Sequence, residues 1–451
     1  MKSNTLSLSR RQFLGRSTAA TFGAIAFGSL SLRGQSAAPA EQPAPKKYCP
    51  FRAAGIKPPA GEPDEAWWRG VRARFDLRSD RVYLNTGTTG PVPISVREAR
   101  ARVERELAED PGADVSRLFL HEDTRAFLAK AVNADADDIV LTRSTTEGLN
   151  IFAFGLDLRR GDEVILDSQE HSAAINPFRE LEDRVGIKIV RVELPVPNAL
   201  DREQIVEAWR RAITPRSRLL VASHVTYKSG LALPIRELAD LAHSRGLLIS
   251  VDGAQSFGVL PLDLPALDID HYAAPGQKWL LAGTGTGFSW IRRDVQPRVR
   301  TLTGWHDPAS ARTGAHTARR YEQTGQKNVA GINSLVEALA FRQVVGPARI
   351  EARARELAAR LQRGLRETKT AEVWTPADPA LSAGLTAFTL DELPPKAVAK
   401  ALQARHITVR TVEVDKKEAL RVSTHLFNSP EEVDRLLALL RDFVAAPALL
   451  A

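Results

Sequence analysis

Between about residues 80 and 300, short β-branched and apolar runs alternate with longer segments in which apolar positions recur every three or four residues. The runs DIVLT, DEVILD, IKIVRVEL, RLLVASHV and LLISVDGAQ are apolar on both faces, which predicts strands covered on both sides. Between them, TEGLNIFAFGLDL, AAINPFRELEDRVG, DREQIVEAWRRAIT and IRELADLAHSRG read as helices. This alternation predicts an α/β domain built around a mostly parallel sheet. Upstream, DEAWWRGVRARF predicts a helix capped by Asp64, with Trp67, Val71 and Phe75 on one face.

After about residue 330 the texture changes. One long helical stretch, INSLVEALAFRQVVGPARIEARARELAARLQRGLRE, precedes short strands in LTAFTL and ITVRT. The chain closes on a helix, SPEEVDRLLALLRDFVAA, opened by Ser429 and Pro430 as cap and first-turn residue. The predicted layout is an export segment over residues 1–40 and a Pro-rich linker over 41–62. An N-terminal helix with a large α/β domain follows over 63–330, and a smaller α+β domain over 331–451. Ligand sites in open α/β sheets lie at the C-terminal ends of the strands, so chemistry is sought there.

Composition changes the picture at one end of the chain only. The 451 residues, 43% of them hydrophobic, can bury a large core. Of the net charge of +8, residues 1–40 supply +5 through Lys2, Arg10, Arg11, Arg16 and Arg33, with no acid among them. Elsewhere acids and bases are interspersed, with no stripe for a nucleic acid. SRRQFLG followed by an apolar run and by Ala38-Pro39-Ala40 reads as a twin-arginine export signal with an A-x-A cleavage site. A chance arginine pair on a tail is the alternative. The apolar run is too short and too rich in Gly and Ser to span a membrane, so no stable membrane insertion is expected. The expected location is the periplasm, reached through the twin-arginine machinery, which carries folded and often cofactor-loaded proteins. Cys49 is the single cysteine, so no intramolecular disulfide can form.

Four strand ends carry polar clusters. In LTRSTTEGLN, Ser144, Thr145 and Thr146 stand between a strand and a helix, as an anion site or as an ordinary N-cap. In ILDSQEHSAAINPF, His171 follows a strand as a base, a stacking platform or a structural histidine; no second ligand at metal spacing accompanies it. In LLISVDGAQSFG, Asp252 and Gln255 leave a very apolar strand, and the carboxylate needs a positive partner, an arginine or a protonated heterocycle. In YAAPGQKWLLAGTGTGFSWI, Lys278 is the one charged residue in an otherwise apolar and neutral stretch. The GTGTG that follows it is not a dinucleotide signature. Pyridoxal 5′-phosphate (PLP) accounts for all four clusters. It needs an anion cradle, a flat partner for its ring, a carboxylate to keep its ring nitrogen protonated and a desolvated lysine for a Schiff base.

These residues resemble the class V aminotransferase family of fold-type I PLP enzymes, which includes cysteine desulfurases and isopenicillin N epimerase-like proteins. The resemblance runs from YLNTGTTGPVP to RVSTHLFNSPEEVDRLL and is strongest in STTEGLN, QEHSA, SHVTYKSGLALP, VDGAQSFG, GQKW and YEQTGQKNVAGI. It implies a mainly parallel seven-stranded sheet with helices on both faces, a smaller C-terminal α+β domain and a homodimer with active sites near the subunit interface. It also implies that Lys278 forms the Schiff base and that Asp252 pairs with the pyridinium nitrogen. Gln255 would approach the ring hydroxyl, His171 would stack on the ring, and Thr145 and Thr146, with Gln277, would hold the phosphate. Arg421 would receive a substrate α-carboxylate, a surface salt bridge being the alternative. The chain departs from the family pattern at Gln277, where a histidine is usual, and at Pro275. It departs again at Gly325-Gln326, where a Gly-Thr pair is usual, and near Tyr227, where an Asn is usual.

Cysteine desulfurases use a cysteine in the C-terminal domain, and residues 330–451 contain none. The expected function is an exported PLP enzyme acting on an amino acid or an amino-acid-bearing metabolite, as an aminotransferase or epimerase. A C–S or β-lyase without a catalytic cysteine is one alternative, and a non-catalytic binding protein on the same scaffold is another.

Overall fold

The protein is described here by a computed structural model over residues 61–112, 118–197, 199–302, 317–322 and 327–450, with Ile56, Pro59 and Gly325 besides. The twin-arginine segment, Cys49, most of the linker, and Gln323, Thr324 and Gln326 lie outside the described residues.

Seven strands form the central sheet: β2 (Ile139–Thr142), β3 (Glu163–Asp167), β4 (Lys188–Val192), β5 (Ser217–Ser223), β6 (Leu248–Asp252), β7 (His271–Pro275) and β8 (Gly287–Ile291). They lie in the order β2-β8-β7-β6-β5-β3-β4, and only β8 runs against its neighbours. Six C-terminal strand ends therefore gather on one edge. Alternate residues feed two separate cores. Val164, Leu166, Leu219 and Val221 pack on one face, while Ile165, Leu220, Ala222, Ile249 and Val251 pack on the other. Helices cover both faces, among them α4 (Thr145–Gly155), α5 (Ser172–Val185), α6 (Arg202–Ala212) and α7 (Ile235–His243), preceded in the chain by α1 (Glu65–Arg72), α2 (Ile94–Glu109) and α3 (Leu118–Ala131). The fold is the expected α/β, with a mainly parallel seven-stranded sheet.

A smaller antiparallel sheet has the order β12-β13-β10-β9, from β9 (Ala371–Val373), β10 (Leu385–Leu390), β12 (Arg410–Val414) and β13 (Lys417–Ser423). A short parallel pair joins β1 (Val82–Tyr83) to β11 (Ile407–Thr408), which ties the N-terminal segment to the C-terminal part of the chain. Both sheets belong to one compact unit. Among the described residues no helix is long and apolar enough to cross a membrane.

Three local expectations are corrected. The single long helix predicted after residue 330 is two, α8 (Val329–Val345) and α9 (Pro347–Arg366), broken at Gly346 with φ +99°. The break follows from the packing. Ile332, Leu335 and Leu339 of α8 belong to a core of the large sheet, whereas Leu357, Leu361 and Leu365 of α9 belong to the core of the small one. A straight rod cannot serve both. The run IKIVRVEL is not covered on both faces: β4 is the sheet edge, and Lys188 and Arg191 are exposed. In α1 the buried aromatic is Trp68, not Trp67, and the helix stops at Arg72 before Phe75 is reached.

The chain ends on α10 (Pro395–Ala404) and α11 (Pro430–Ala445). The α11 N-terminus is closed as predicted: Ser429 Oγ accepts from the Glu432 N–H, and the Glu432 side chain accepts from the Ser429 N–H in return. Glu432 also pairs with Arg72 of α1 at 2.8 Å, so this cap joins the two ends of the unit. Ser429→Ala is expected to lower stability by about 1 kcal/mol, read as a reduced urea midpoint at unchanged slope.

Candidate active site

The strand ends open onto a cavity of about 680 Å³. Every predicted site residue lines it: Thr145, Thr146, His171, Asp252, Gln255, Gln277, Lys278 and Arg421.

On one side, β2 turns into α4. Ser144 is spent as the N-cap, its hydroxyl accepting from the Glu147 N–H at 3.1 Å. The cap reading is thus right for Ser144 and leaves Thr145 free. Thr145 is buried, and its Oγ1 has no partner among the described residues. Beside free first-turn amides, that hydroxyl suits an anion. The helix comes this close because residue 148 is glycine: a Cβ there would stand 2.8 Å from the Ala273 Cβ.

His171 follows β3 and caps α5. Its Nδ1 accepts from the Ala173 N–H at 3.1 Å, so in the neutral ring the proton sits on Nε2. Burial lowers its pKa, reinforced by Lys278 and Arg421 and opposed by the Asp252 charge. Neutral imidazole is the resting form. The ring meets Tyr227 edge-on, with centroids 4.8 Å apart.

Asp252 ends β6, buried, with one carboxylate oxygen accepting from the Ala254 N–H at 2.8 Å. Burial raises its pKa, and the Lys278 ammonium, the Ala254 amide and His171 oppose the rise. Lys278 lies just past β7. Half-buried, its amine has no hydrogen-bond or ion-pair partner among the described residues, and desolvation pulls its pKa down to about 8, with Asp252 opposing and Arg421 reinforcing. The adjoining Gln277 has a buried Oε1 with no partner among the described residues. Gln255 is already engaged, accepting from Trp279 Nε1 at 2.8 Å and donating to the Gly87 carbonyl at 3.0 Å.

From the other side, β13 brings in Arg421, 3% exposed, so a surface salt bridge is the wrong reading. It donates to the Tyr227 carbonyl at 3.0 Å, Thr88 Oγ1 at 2.9 Å and Asn85 Oδ1 at 3.2 Å, and no described acid pairs with it. Burial, with Arg410 close by, lowers its pKa to about 10.

The sequence reading missed several wall residues: Thr88, Tyr227, Lys228, Arg410 and Glu413. It also missed two buried carboxylates behind His171. Glu170 accepts from the Ser223 amide and hydroxyl, and burial together with the Asp167 and Asp252 charges raises its pKa. Their signal lay in ILDSQEHSAAINPF, where Asp167 and Glu170 precede the histidine.

The donors fit PLP. Thr145 Oγ1 and the α4 amides suit its phosphate, buried Asp252 its ring nitrogen, and Lys278 its aldehyde, while unpaired Arg421 suits an incoming carboxylate. A model of the aminotransferase class-V family matches residues 97–436. The chain belongs to the class V aminotransferase family. Among its relatives in that family, the isopenicillin N epimerase of Amycolatopsis lactamdurans is 33% identical over 400 residues, covering 83% of this chain and 98% of the relative. A probable cysteine desulfurase of Methanothermobacter thermautotrophicus is 28% identical, covering 81% of this chain and 95% of its own. The solved complex of the cystine C–S lyase C-DES with cysteine persulfide superimposes with a TM-score of 0.75 at 27% identity, covering 81% of this chain and 98% of that one.

Holding Lys278 half-buried and unpaired costs the cofactor-free class V protein stability. Its folded pKa of about 8 lies below the ordinary lysine value of 10.5, so the cost is full below pH 8 and shrinks as pH rises towards 10.5. Lys278→Met is therefore expected to stabilise the cofactor-free form at pH 7 by on the order of 2 kcal/mol. Chemical denaturation at pH 7 and pH 10 should show the advantage at the lower pH and its decline at the higher.

Proposed function

We propose that this class V family member is an exported, homodimeric PLP enzyme that acts at the Cα of an amino acid or amino-acid-bearing metabolite, by transamination or epimerisation. The observation that carries the reading is the half-buried Lys278 amine, without a hydrogen-bond or ion-pair partner among the described residues and with its pKa lowered to about 8, in one cavity with Asp252 and Arg421.

PLP supplies an electron sink that loosens the bonds at an amino acid's Cα. Lys278 would hold the cofactor through Nζ, and when free its amine can take and return a Cα proton. Asp252 would hold a protonated ring nitrogen, which gives its buried charge a partner. Thr145 and the α4 amides would hold the phosphate, with Thr146 and Gln277 at the rim, while Gln255 would flank the ring hydroxyl. His171, kept neutral, lines the same cavity and would stack on the cofactor ring. Arg421 would fix the substrate carboxylate by two parallel hydrogen bonds.

A second reading, β-elimination or C–S lysis, is favoured by the likeness to the cystine C–S lyase structure. With Cys49 the single cysteine, outside the described residues, such a lyase would proceed without a C-terminal cysteine nucleophile. The twin-arginine segment supports export to the periplasm, and the family resemblance supports the dimer.

Borohydride reduction of the cofactor-loaded protein and peptide mapping should find the cofactor on Lys278. An amino-acid panel followed for keto acid, ammonia, sulfide and change of configuration should then separate the reactions. Cofactor absent from Lys278, with no spectral response to any amino acid, would sink the enzyme reading in favour of a binding protein. Replacing Arg10 and Arg11 by lysine should leave the protein in the cytoplasmic fraction with its signal uncleaved; unchanged fractionation would refute twin-arginine export.

A further inference from the structure

After β5 the chain folds into a tight turn. An isolated bridge pairs Val225 with Ala232, the Thr226 N–H donates to the Leu231 carbonyl at 2.8 Å, and the Thr226 and Ser229 hydroxyls meet at 3.0 Å. Gly230, at φ +76°, closes the turn where a Cβ would stand 2.9 Å from Leu385. Residues 225–232 are buried except the two at the tip, Tyr227 and Lys228, and both of these line the cavity.

Tyr227 is held at its backbone and its ring. Its carbonyl accepts from Arg421 at 3.0 Å, its ring meets His171 edge-on, and the Lys228 ammonium lies 5.8 Å from the ring centroid. Its hydroxyl makes no hydrogen bond with any described residue. The three other described tyrosines spend theirs: Tyr83 on the Thr89 carbonyl at 2.6 Å, Tyr272 on Ser256 at 2.7 Å, and Tyr321 on the Gln296 carbonyl at 2.8 Å. A sheltered phenol normally finds a partner, so this one is kept for something that enters the cavity.

Inverting a Cα centre needs a proton removed on one side and another delivered on the opposite side. Lys278 can take one. Of the remaining groups, Asp252 is reserved for the ring nitrogen and the Arg421 guanidinium stays charged. The Ser223 hydroxyl is given to Glu170 at 3.1 Å, and Lys228 is tied to the Ser168 carbonyl at 3.2 Å. His171 has its Nδ1 spent on the Ala173 N–H. Strand order puts Lys278, after β7, and Tyr227, after β5, on either side of Asp252 at the end of β6. Burial raises the Tyr227 pKa, opposed by Arg421, so the phenol holds a proton to give, and the guanidinium can steady the phenolate that giving it leaves.

We propose that Tyr227 is a second catalytic residue, working across the substrate Cα from Lys278, and that the reaction they serve is inversion of configuration at that carbon. This rests on the PLP reading and selects epimerisation within it. The Lys278 amine takes the Cα proton and becomes an ammonium, the C–H electron pair passing into the cofactor's sink. That pair returns to Cα as the Tyr227 phenol delivers its proton to the opposite side, which forms the new C–H bond and leaves a phenolate. Solvent carries the proton back from Lys278 to Tyr227, and the opposite enantiomer uses the two groups in reverse.

The test compares cofactor-loaded wild type with Tyr227→Phe in deuterium oxide. The change removes one oxygen and keeps both the carbonyl bound to Arg421 and the ring against His171. L- and D-amino acids are followed by NMR for Cα–H exchange and by chiral chromatography for configuration. Wild type should invert, and Tyr227→Phe should lose inversion about 100- to 10,000-fold while one enantiomer still exchanges its Cα–H through Lys278. Three outcomes would overturn the proposal and leave the PLP reading standing: unchanged inversion in Tyr227→Phe, loss of exchange with both enantiomers, or a wild type that exchanges Cα–H and inverts nothing. Should no amino acid alter the cofactor spectrum, the PLP reading itself fails. A second readout needs no turnover. Tetranitromethane should nitrate Tyr227 in the cofactor-free protein, as read by peptide mapping, and cofactor loading should slow it. A Tyr227 that resists nitration there would also overturn the proposal, because its hydroxyl would be closed off from the cavity.

Discussion

Taking Asp252 and Arg421 almost wholly, and Lys278 partly, out of water is the costly act around which the site is built. None of the three finds an ion-pair partner among the described residues, and burial displaces all three in the direction that disfavours charge. Each is left lacking a different thing: the amine an electrophilic carbon, the carboxylate a cation, the guanidinium an anion. One bound cofactor and one amino acid supply all three. The two hydrophobic cores on either face of the central sheet provide the stability against which this local deficit is carried.

Three pieces of chain far apart in sequence hold the deficit in place. The segment after β1 threads between the sheets: Gly87 N–H donates to Ser423 Oγ at 3.1 Å, and its carbonyl accepts from Gln255. Three residues on, the Gly90 N–H donates to the Gln277 carbonyl at 2.7 Å. A Cβ on Gly90 would lie 2.2 Å from the Lys278 carbonyl oxygen, so only glycine lets this segment brace the lysine loop. On the far side, His425 lies 2.9 Å from the Trp279 carbonyl oxygen through Nε2. Lys278 is thus gripped by backbone contacts on both flanks while its amine is left alone.

Much of this was readable in the chain because it rests on local pattern. Strands apolar on both faces announce a doubly covered sheet, and their polar C-terminal ends announce where chemistry collects. A lone lysine in apolar surroundings announces itself by its cost. What stayed hidden depends on strand order or on register between remote strands. The edge position of β4 is a property of the sheet, not of IKIVRVEL. The break at Gly346 was marked by Gly-Pro, but its necessity comes from two cores that the pattern did not separate. Whether Ser144 or Thr145 caps α4 turns on a single residue of helix phase. Arg410 gave no signal at all, since RTVEV alternates as any edge strand does, and only pairing with β13 brings it opposite Arg421.

That pairing divides the labour of the site between two layers. The edge of the large sheet supplies the groups a PLP enzyme needs whatever its reaction: Lys278, Asp252, His171 and the anion cradle of α4. The small sheet supplies Arg421, which in the proposed function would fix the substrate carboxylate, with Arg410 opposite it. Substitution on an exposed edge strand such as β12 disturbs no core residue beneath the large sheet, so substrate choice can change there at little cost to the reaction groups. Relatives named as an epimerase and as a probable desulfurase on one family framework are consistent with such a division. Arg421 is the link between the layers, because its hydrogen bonds reach both the Tyr227 carbonyl after β5 and the Asn85–Thr88 segment. A carboxylate bound at Arg421 therefore acts on the segment that, through Gly90, braces Lys278.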